Sequence, residues 1–308
     1  MTIVYTHEDC LGHREPPGHP EQHARMKAVA AALETVEGLD RRLAPIGDEA
    51  EIARCHPEGY IARIRNAVPE EGWTMLDGDT YLSPGSWAAA LRGVGGICAA
   101  VDAVLGGEDT TAFVGCRPPG HHAERETPMG FCLFGSAAIG AKRALDHHGL
   151  SRVAIVDFDV HHGNGTQDLL WHEGRTLFCS SHQIPLYPGT GRTEERGALN
   201  NVLNVPLAPG TGGAEMRAAY ERVILPAVDA FAPELIIVSA GFDSHAADPL
   251  AQLNWQAGDF GWLTEEILTL AGRHCGGRVV STLEGGYDLQ ALAECTATHV
   301  RGLTERSR

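Results

Sequence analysis

Nothing in the 308 residues supports a disulfide scaffold: the eight cysteines, at 10, 55, 98, 116, 132, 179, 275 and 295, include no CxxC pair. Neither a disulfide framework nor a thiolate zinc site is therefore expected. Basic charge is also scarce. Lys and Arg number 24 against 40 Asp and Glu, a formal charge of −16, which opposes binding to a phosphate backbone and argues against a nucleic-acid partner. No uninterrupted apolar run approaches the roughly 20 residues of a membrane helix. The opening MTIVYTHEDC turns polar before a signal-peptide core can form, so the expectation is a cytoplasmic protein with no membrane partner. Repeats, low-complexity tracts and linkers are lacking too, and residues 1–308 are read as one domain.

What is present is a globular composition, 43% hydrophobic with 37 Gly and 17 Pro, together with 16 His. That histidine content directs attention to metal or acid–base chemistry. Short β-branched runs at 2–6, 152–158, 176–181, 234–243 and 278–286 end in loops rich in Gly, His and Asp. They read as buried strands. Helical spacing covers 20–37, 84–105, 136–148, 213–230, 259–274 and 288–303. Strand and helix in alternation predict an α/β fold: a single, mostly parallel sheet with helices on both faces. Ligands of such sheets bind beyond the carboxyl ends of the strands, so the polar residues there are the candidates.

Four segments stand out, three of them at such ends. In IVDFDVHHGNG (155–165), Asp157, Asp159 and His161 alternate along an extended chain and share a face. Two carboxylates and an imidazole at one strand end suit a hard-to-borderline divalent metal. The plainer reading, loop caps and ion pairs, is disfavoured because adjacent buried carboxylates are costly without a cation. In LIIVSAGFDSH (235–245), Asp243 alone reads as a loop cap; with the first cluster it completes three ligands from two strand ends. In CRPPGHH (116–122), two prolines and a glycine present His121 and His122 side by side. LEGGYD (283–288) would by itself be a turn carrying a phenol, Tyr287. The other tandem pair, His147-His148, sits at an expected helix end and reads as surface.

Together these pieces resemble the histone deacetylase family of the arginase/deacetylase superfamily, most closely its class II and bacterial amidohydrolase branch. The resemblance runs from GHPEQHARM (18–26) through DTYLSPGS (79–86), RPPGHHAERETPMGFCLF (117–134), DFDVHHGNGTQ (157–167), YPGTG (187–191) and GFDSHAADPL (241–250) to LEGGYD. It implies that Asp159, His161 and Asp243 ligate one Zn²⁺ or Fe²⁺. It places His121, backed by Asp157, and His122, backed by Asn164, beside the attacking water, and makes Tyr287 the donor to the substrate carbonyl. Phe131 and Tyr187 match tunnel walls, Gly130 its floor or wall, and Arg25 the arginine of an acetate channel. A structural K⁺ or Na⁺ maps to Asp157, Asp159, His161, Ser180 and Ser181, several through backbone carbonyls. On this view His122, with a neutral partner, is the better general base, and His121, with a carboxylate, stays protonated.

One departure from the pattern is Gly135-Ser136 in FGSA (134–137), where many relatives carry two asparagines; altered packing behind the tunnel is the expectation. The function implied is deacetylation of acetyl-lysine in proteins or peptides. Rival readings are an acetylpolyamine or other small acetylated-amine deacetylase, a catalytically weak acyl-lysine binder, against which Tyr287 argues, and a binuclear arginase-like hydrolase. For the last, His162, Gly163 and Asn164 offer no evident second ligand set. Leu250, after Asp248-Pro249, stands where a polyamine-selective branch carries a glutamate, which favours acetyl-lysine.

Overall fold

A computed structural model describes residues 1–306. The strands are β1 Thr2–Thr6, β2 Leu39–Leu43, β3 Thr74–Met75, β4 Tyr81–Leu82, β5 Thr111–Val114, β6 Val153–Asp157, β7 Thr176–Gln183, β8 Val202–Leu207, β9 Leu235–Ala240 and β10 Val279–Leu283. The α-helices are α1 Ala24–Glu34, α2 Glu49–Ile52, α3 Glu58–Asn66, α4 Ser86–Leu105, α5 Ser136–Asp146, α6 Asn164–Leu170, α7 Gly213–Ala219, α8 Leu225–Phe231, α9 Ala257–His274 and α10 Leu289–Arg306.

Eight strands form one sheet in the order β2-β1-β5-β10-β9-β6-β7-β8, and every pairing in it is parallel. β3 and β4 make a separate antiparallel hairpin. The five strands read from sequence are β1, β6, β7, β9 and β10. Along β6, β9 and β10 every residue is buried, as strands covered on both faces must be. Helices α4 and α5 cover one face, and α9 and α10, with α1 packed on α10, cover the other. Each apolar side chain so enclosed is worth about 1.5–3 kcal/mol. Helix α4 is long and apolar enough to cross a membrane by length and composition, but 72% of that stretch is buried, which makes it a core helix. All eight cysteines are free and buried.

The topology decides where chemistry can occur. β5, β10, β9 and β6 are consecutive neighbours, and all point the same way. The loops at their carboxyl ends carry CRPPGHH, LEGGYD, GFDSH and DFDVHHGNG. Residues up to 164 apart in sequence thus meet at one sheet edge. Helix starts then fix the far side of two of these loops: α6 begins at Asn164, and Asp288 Oδ1 accepts the Ala291 N–H at 2.8 Å at the start of α10.

Candidate active site

Asp159 and His161 leave β6 and Asp243 leaves β9; all three are buried, and their potential ligand atoms lie within 4.8 Å of one another. His161 Nδ1 is 3.1 Å from Asp159 Oδ1 and 3.1 Å from Asp243 Oδ2. Backbone amides hold the carboxylates in this pose: Gly285 N–H donates to Asp159 Oδ2 and Val160 N–H to Asp243 Oδ1, each at 2.9 Å. The cradle is tight, since a Cβ on Gly285 would lie 2.2 Å from Asp243 Oδ2. Burial opposes charge on His161, yet hydrogen bonds to Asp159 and Asp243 and their charge raise its pKa to about 10. The space between the carboxylates therefore favours positive charge. Donors 3.1 Å apart fit the edge, roughly 3.3 Å, of a tetrahedron with bonds of about 2.0 Å. Chemistry and spacing both suit a divalent metal.

The tandem histidines lie beside this cluster, their ring centroids 4.0 Å apart. His121 Nδ1 donates to Asp157 Oδ2 at 3.0 Å, and His122 Nδ1 donates to Asn164 Oδ1 at 2.7 Å. The two environments separate their protonation. Burial works against charge on His121, but Asp159 and Asp157 outweigh it and hold its pKa well above the ordinary value. His122 is driven well below by burial and by the neighbouring His121 and His161 charges. The two environments thus favour the charged form of His121 and the neutral form of His122.

Above them opens a cavity of about 230 Å³ with His122, His161 and Tyr287 among its lining residues, its walls including Gly130, Phe131, Tyr187 and Leu250. Phe131 packs edge-on against Tyr287 at 5.7 Å, and Tyr187 against His122 at 5.3 Å. Tyr287 N–H donates to Asp248 Oδ2 at 2.7 Å, and the Arg25 guanidinium lies 5.0 Å from the Tyr287 ring centre. Burial raises the Tyr287 phenol well above its usual pKa, against the pull of Arg25, so it remains a hydrogen-bond donor. A larger cavity, about 580 Å³, lies at the opposite, amino ends of β5 and β10. None of the residues above lines it.

Four acidic residues escaped the sequence reading. Glu284, wholly buried, accepts from Gly120 N–H at 2.7 Å, His121 N–H at 3.1 Å and Ser239 Oγ–H at 3.3 Å, tying the tandem-histidine turn to β9 and β10. Its place directly after an apolar strand was the available signal. Asp248 holds the Tyr287 backbone, Asp79 lines the cavity, and Glu124 contacts Asn164. Arg25 is itself fully buried, donating to Gly286 O at 2.7 Å, Glu284 O at 2.5 Å and Glu21 Oε1 at 3.0 Å. What it visibly does is clamp the Tyr287 loop. Glu21 is shared with Arg117, which also donates to the His13 carbonyl.

Of the residues assigned to a monovalent cation, Asp157 pairs with Ser180 across β6 and β7, but the serine hydroxyls are engaged elsewhere. Ser180 Oγ is 2.9 Å from His182 Nδ1, and Ser181 Oγ is 2.8 Å from Tyr220 Oη. One such contact leaves each hydroxyl oxygen a lone pair, so hydroxyls and backbone carbonyls alike are compatible with such an ion. Gly135 and Ser136 lie behind the Gly120 turn, not on the tunnel wall; Gly135 N–H donates to His56 Nε2 at 3.0 Å. Asp102, His147 and His148 form a second group of possible ligands. Both Asp102 oxygens are held by Arg143 at 2.7 Å, so a cation already satisfies that carboxylate.

Known proteins resemble nearly the whole chain. The histone deacetylase domain profile matches residues 19–303. The chain is 40% identical to histone deacetylase 10, chloroplastic, of Oryza sativa subsp. japonica, over 97% of its own length and 72% of that protein. It is 39% identical to a histone deacetylase-like amidohydrolase of Pseudomonas aeruginosa, over 93% and 75%. The crystal structure of the HDA15 HD domain superposes with a TM-score of 0.93 at 31% identity, covering 99% of this chain and 90% of that one.

Proposed function

We propose, since this chain belongs to the histone deacetylase family, that it is a metal-dependent amidohydrolase acting on acetyl-lysine in proteins or peptides, with residues 1–308 as one catalytic domain. The observation that carries this is the meeting, at one aromatic-walled cavity, of an imidazole whose surroundings favour its neutral form, a buried phenol and a carboxylate–imidazole cluster that could hold a metal.

A divalent cation, Zn²⁺ or Fe²⁺, held by Asp159, His161 and Asp243 would supply polarisation of the amide carbonyl and acidification of water. The chain's own residues do the rest. His122, uncharged, accepts the proton of the attacking water and returns it to the departing amine. His121, held protonated against Asp157, offsets the negative charge that develops beside it. Tyr287 donates its hydroxyl proton in a hydrogen bond to the forming oxyanion. Phe131, Tyr187 and Gly130 enclose the methylene stem of the side chain and exclude water. Arg25 and Asp248 keep the Tyr287 loop in register. Asp157, Asp159, His161, Ser180 and Ser181 supply the surroundings of a structural K⁺ or Na⁺.

One observation favours a second reading. Asp79 places a carboxylate on the cavity wall, and Asp77 acts on it electrostatically, which suits a substrate with a second cationic amine, such as an acetylpolyamine. Leu250 on the same cavity weighs the other way, because it gains from an aliphatic stem and cannot solvate a distal ammonium. The experiment is a kcat/KM panel of acetyl-lysine peptides, N-acetylputrescine and N-acetylspermidine. Peptides are expected to lead, and Leu250→Glu to shift the ratio toward polyamines. A tenfold or greater preference of the unmodified protein for acetylpolyamines, about 1.4 kcal/mol in transition-state binding, would reverse the assignment.

A further inference from the structure

The neutral residue behind His122 is itself backed by a charge. Asn164 Nδ2 donates to Glu124 Oε1 at 2.8 Å and lies 3.3 Å from Met129 Sδ, while Asn164 Oδ1 is 2.7 Å from His122 Nδ1. Asn164 is buried and Glu124 half-buried. Glu124 follows His122 by two residues, and the chain turns back there: Glu124 N–H donates to Thr127 O at 3.0 Å. That turn brings the carboxylate under the start of α6.

An amide has a donating and an accepting end, whereas a carboxylate only accepts. With Glu124 in place, the NH₂ end of Asn164 must face it. The flipped amide would set carbonyl oxygen against carboxylate oxygen and forfeit the Met129 contact as well. The carbonyl end is thereby turned toward His122, where only an Nδ1–H can satisfy it. A neutral imidazole protonated at Nδ1 carries its lone pair on Nε2. The two histidines so differ in kind. His121 meets a carboxylate directly, which favours its charged form. His122 meets one through a neutral spacer, which passes on orientation and only a remote share of the charge.

We propose that Glu124 is a positioning residue: through Asn164 it fixes the tautomer of His122, leaving Nε2, the nitrogen turned away from Asn164, as the free base. This rests on the reading of His122 as the general base. Nothing in it depends on how tightly the substrate binds, so its loss falls on turnover.

The test uses the metal-loaded enzyme with ¹⁵N-labelled histidine, as wild type and as Glu124→Ala, Glu124→Gln and His122→Ala. Glu124→Ala is expected to lower kcat about ten- to a hundredfold, in line with other outer partners that orient histidines, with KM within about twofold. The His122 imidazole signals should move from the Nδ1–H pattern to a mixture of tautomers. Glu124→Gln, whose Oε1 still accepts from Asn164, should restore the pattern and bring kcat within about fivefold of wild type. The proposal is overturned if Glu124→Ala keeps wild-type kcat, if it loses kcat while His122 stays in the Nδ1–H form, or if Glu124→Gln fails to rescue. Full turnover in His122→Ala would end the general-base reading instead, and the tautomer signals would still decide what Glu124 does.

Discussion

The glycine at 130 offers a perturbation whose size can be worked from the coordinates. A Cβ added there would lie 2.4 Å from His122 Cδ2 and 2.7 Å from Cγ, where ordinary contact begins at 3.4 Å. The backbone cannot easily retreat. Phe131 N–H donates to Thr80 Oγ1 at 3.0 Å, and Cys132 N–H to Met129 O at 2.9 Å. The imidazole must therefore move by about 1 Å, and Cδ2 is bonded to Nε2, the atom proposed to take the proton. A misplacement of about 1 Å costs on the order of a hundredfold in rate. Gly130 also has φ +55°, so a methyl group adds about 1–2 kcal/mol of left-handed strain. Gly130→Ala is thus expected to fold with stability reduced by at least that strain and to lose about two orders of magnitude in kcat. Steady-state hydrolysis of an acetyl-lysine peptide, read beside a denaturant melt, measures both. A folded variant with kcat within about threefold of wild type would refute the claim that backbone contact at Gly130 places His122.

Other consequences can be measured separately. Tyr287→Phe should keep its affinity for a substrate-like ligand and lose about 10²–10³ in kcat; wild-type turnover would remove the phenol from the mechanism. Because His122 is pushed well below its ordinary pKa by burial and by neighbouring charge, its unprotonated form persists as pH falls. The acid limb of kcat/KM should accordingly fall below the usual histidine value of about 6.5, and an acid limb above that value would contradict the assignment. Asp243→Ala or His161→Ala should lose the metal, and elemental analysis of the active wild type should return one divalent ion per chain. Added metal at about 100 times its dissociation constant should stabilise the wild type by about 2.7 kcal/mol and leave these variants unmoved; equal shifts in both would exclude the site.

The centre of the sheet was legible in the sequence because its strands are buried on both faces and appear as unbroken apolar runs. Strands β2 and β8 were not. They lie at the two edges of the sheet, and β2 reads LDRRL with no fully buried residue, so its pattern resembles a polar loop. β5, although central, is only TAFV, four residues. Helix α6 was passed over because its first turn, Asn164-Gly165-Thr166, belongs to the motif and carries poor helix formers. The segment 213–230 reads as one helix but widens by a turn at Tyr220–Ile224 between α7 and α8. In the site, Asp159, His161 and Asp243 announced themselves by spacing and by following apolar runs, and the tandem histidines by their Pro-Pro-Gly turn. Glu284 also follows an apolar strand, but its role, like that of Asp248, lies in distant backbone amides. Glu284 meets Gly120 across 164 residues and Asp248 meets Tyr287 across 39, and no local pattern encodes either contact.

Burial of acids at these strand ends explains why the site has to be where it is. Glu21, Asp157, Asp159, Asp243, Asp248 and Glu284 are all buried, and each ionised group withdrawn from water costs several kcal/mol unless paired. The chain meets that cost unevenly. Glu21 has two arginines, and Asp157 has His121. Glu284 and Asp248 are each pushed up to about 7, where protonation relieves them. Asp159 is instead held well below the usual carboxylate range by the charges of His121 and His161, despite its burial, and Asp243 stands beside it with His161 shared between them. Protonation is not the remedy for Asp159, since it would work against both histidines, whereas burial and the Asp159 charge raise the Asp243 carboxyl. A cation between them relieves Asp159 and Asp243 together, and it does so beside His161, whose ring centroid is 5.8 Å from that of His122, where burial and the same electrostatics suppress charge. The demand for a metal and the supply of a neutral base are thus two effects of one arrangement of buried charge at the ends of β5, β6, β9 and β10.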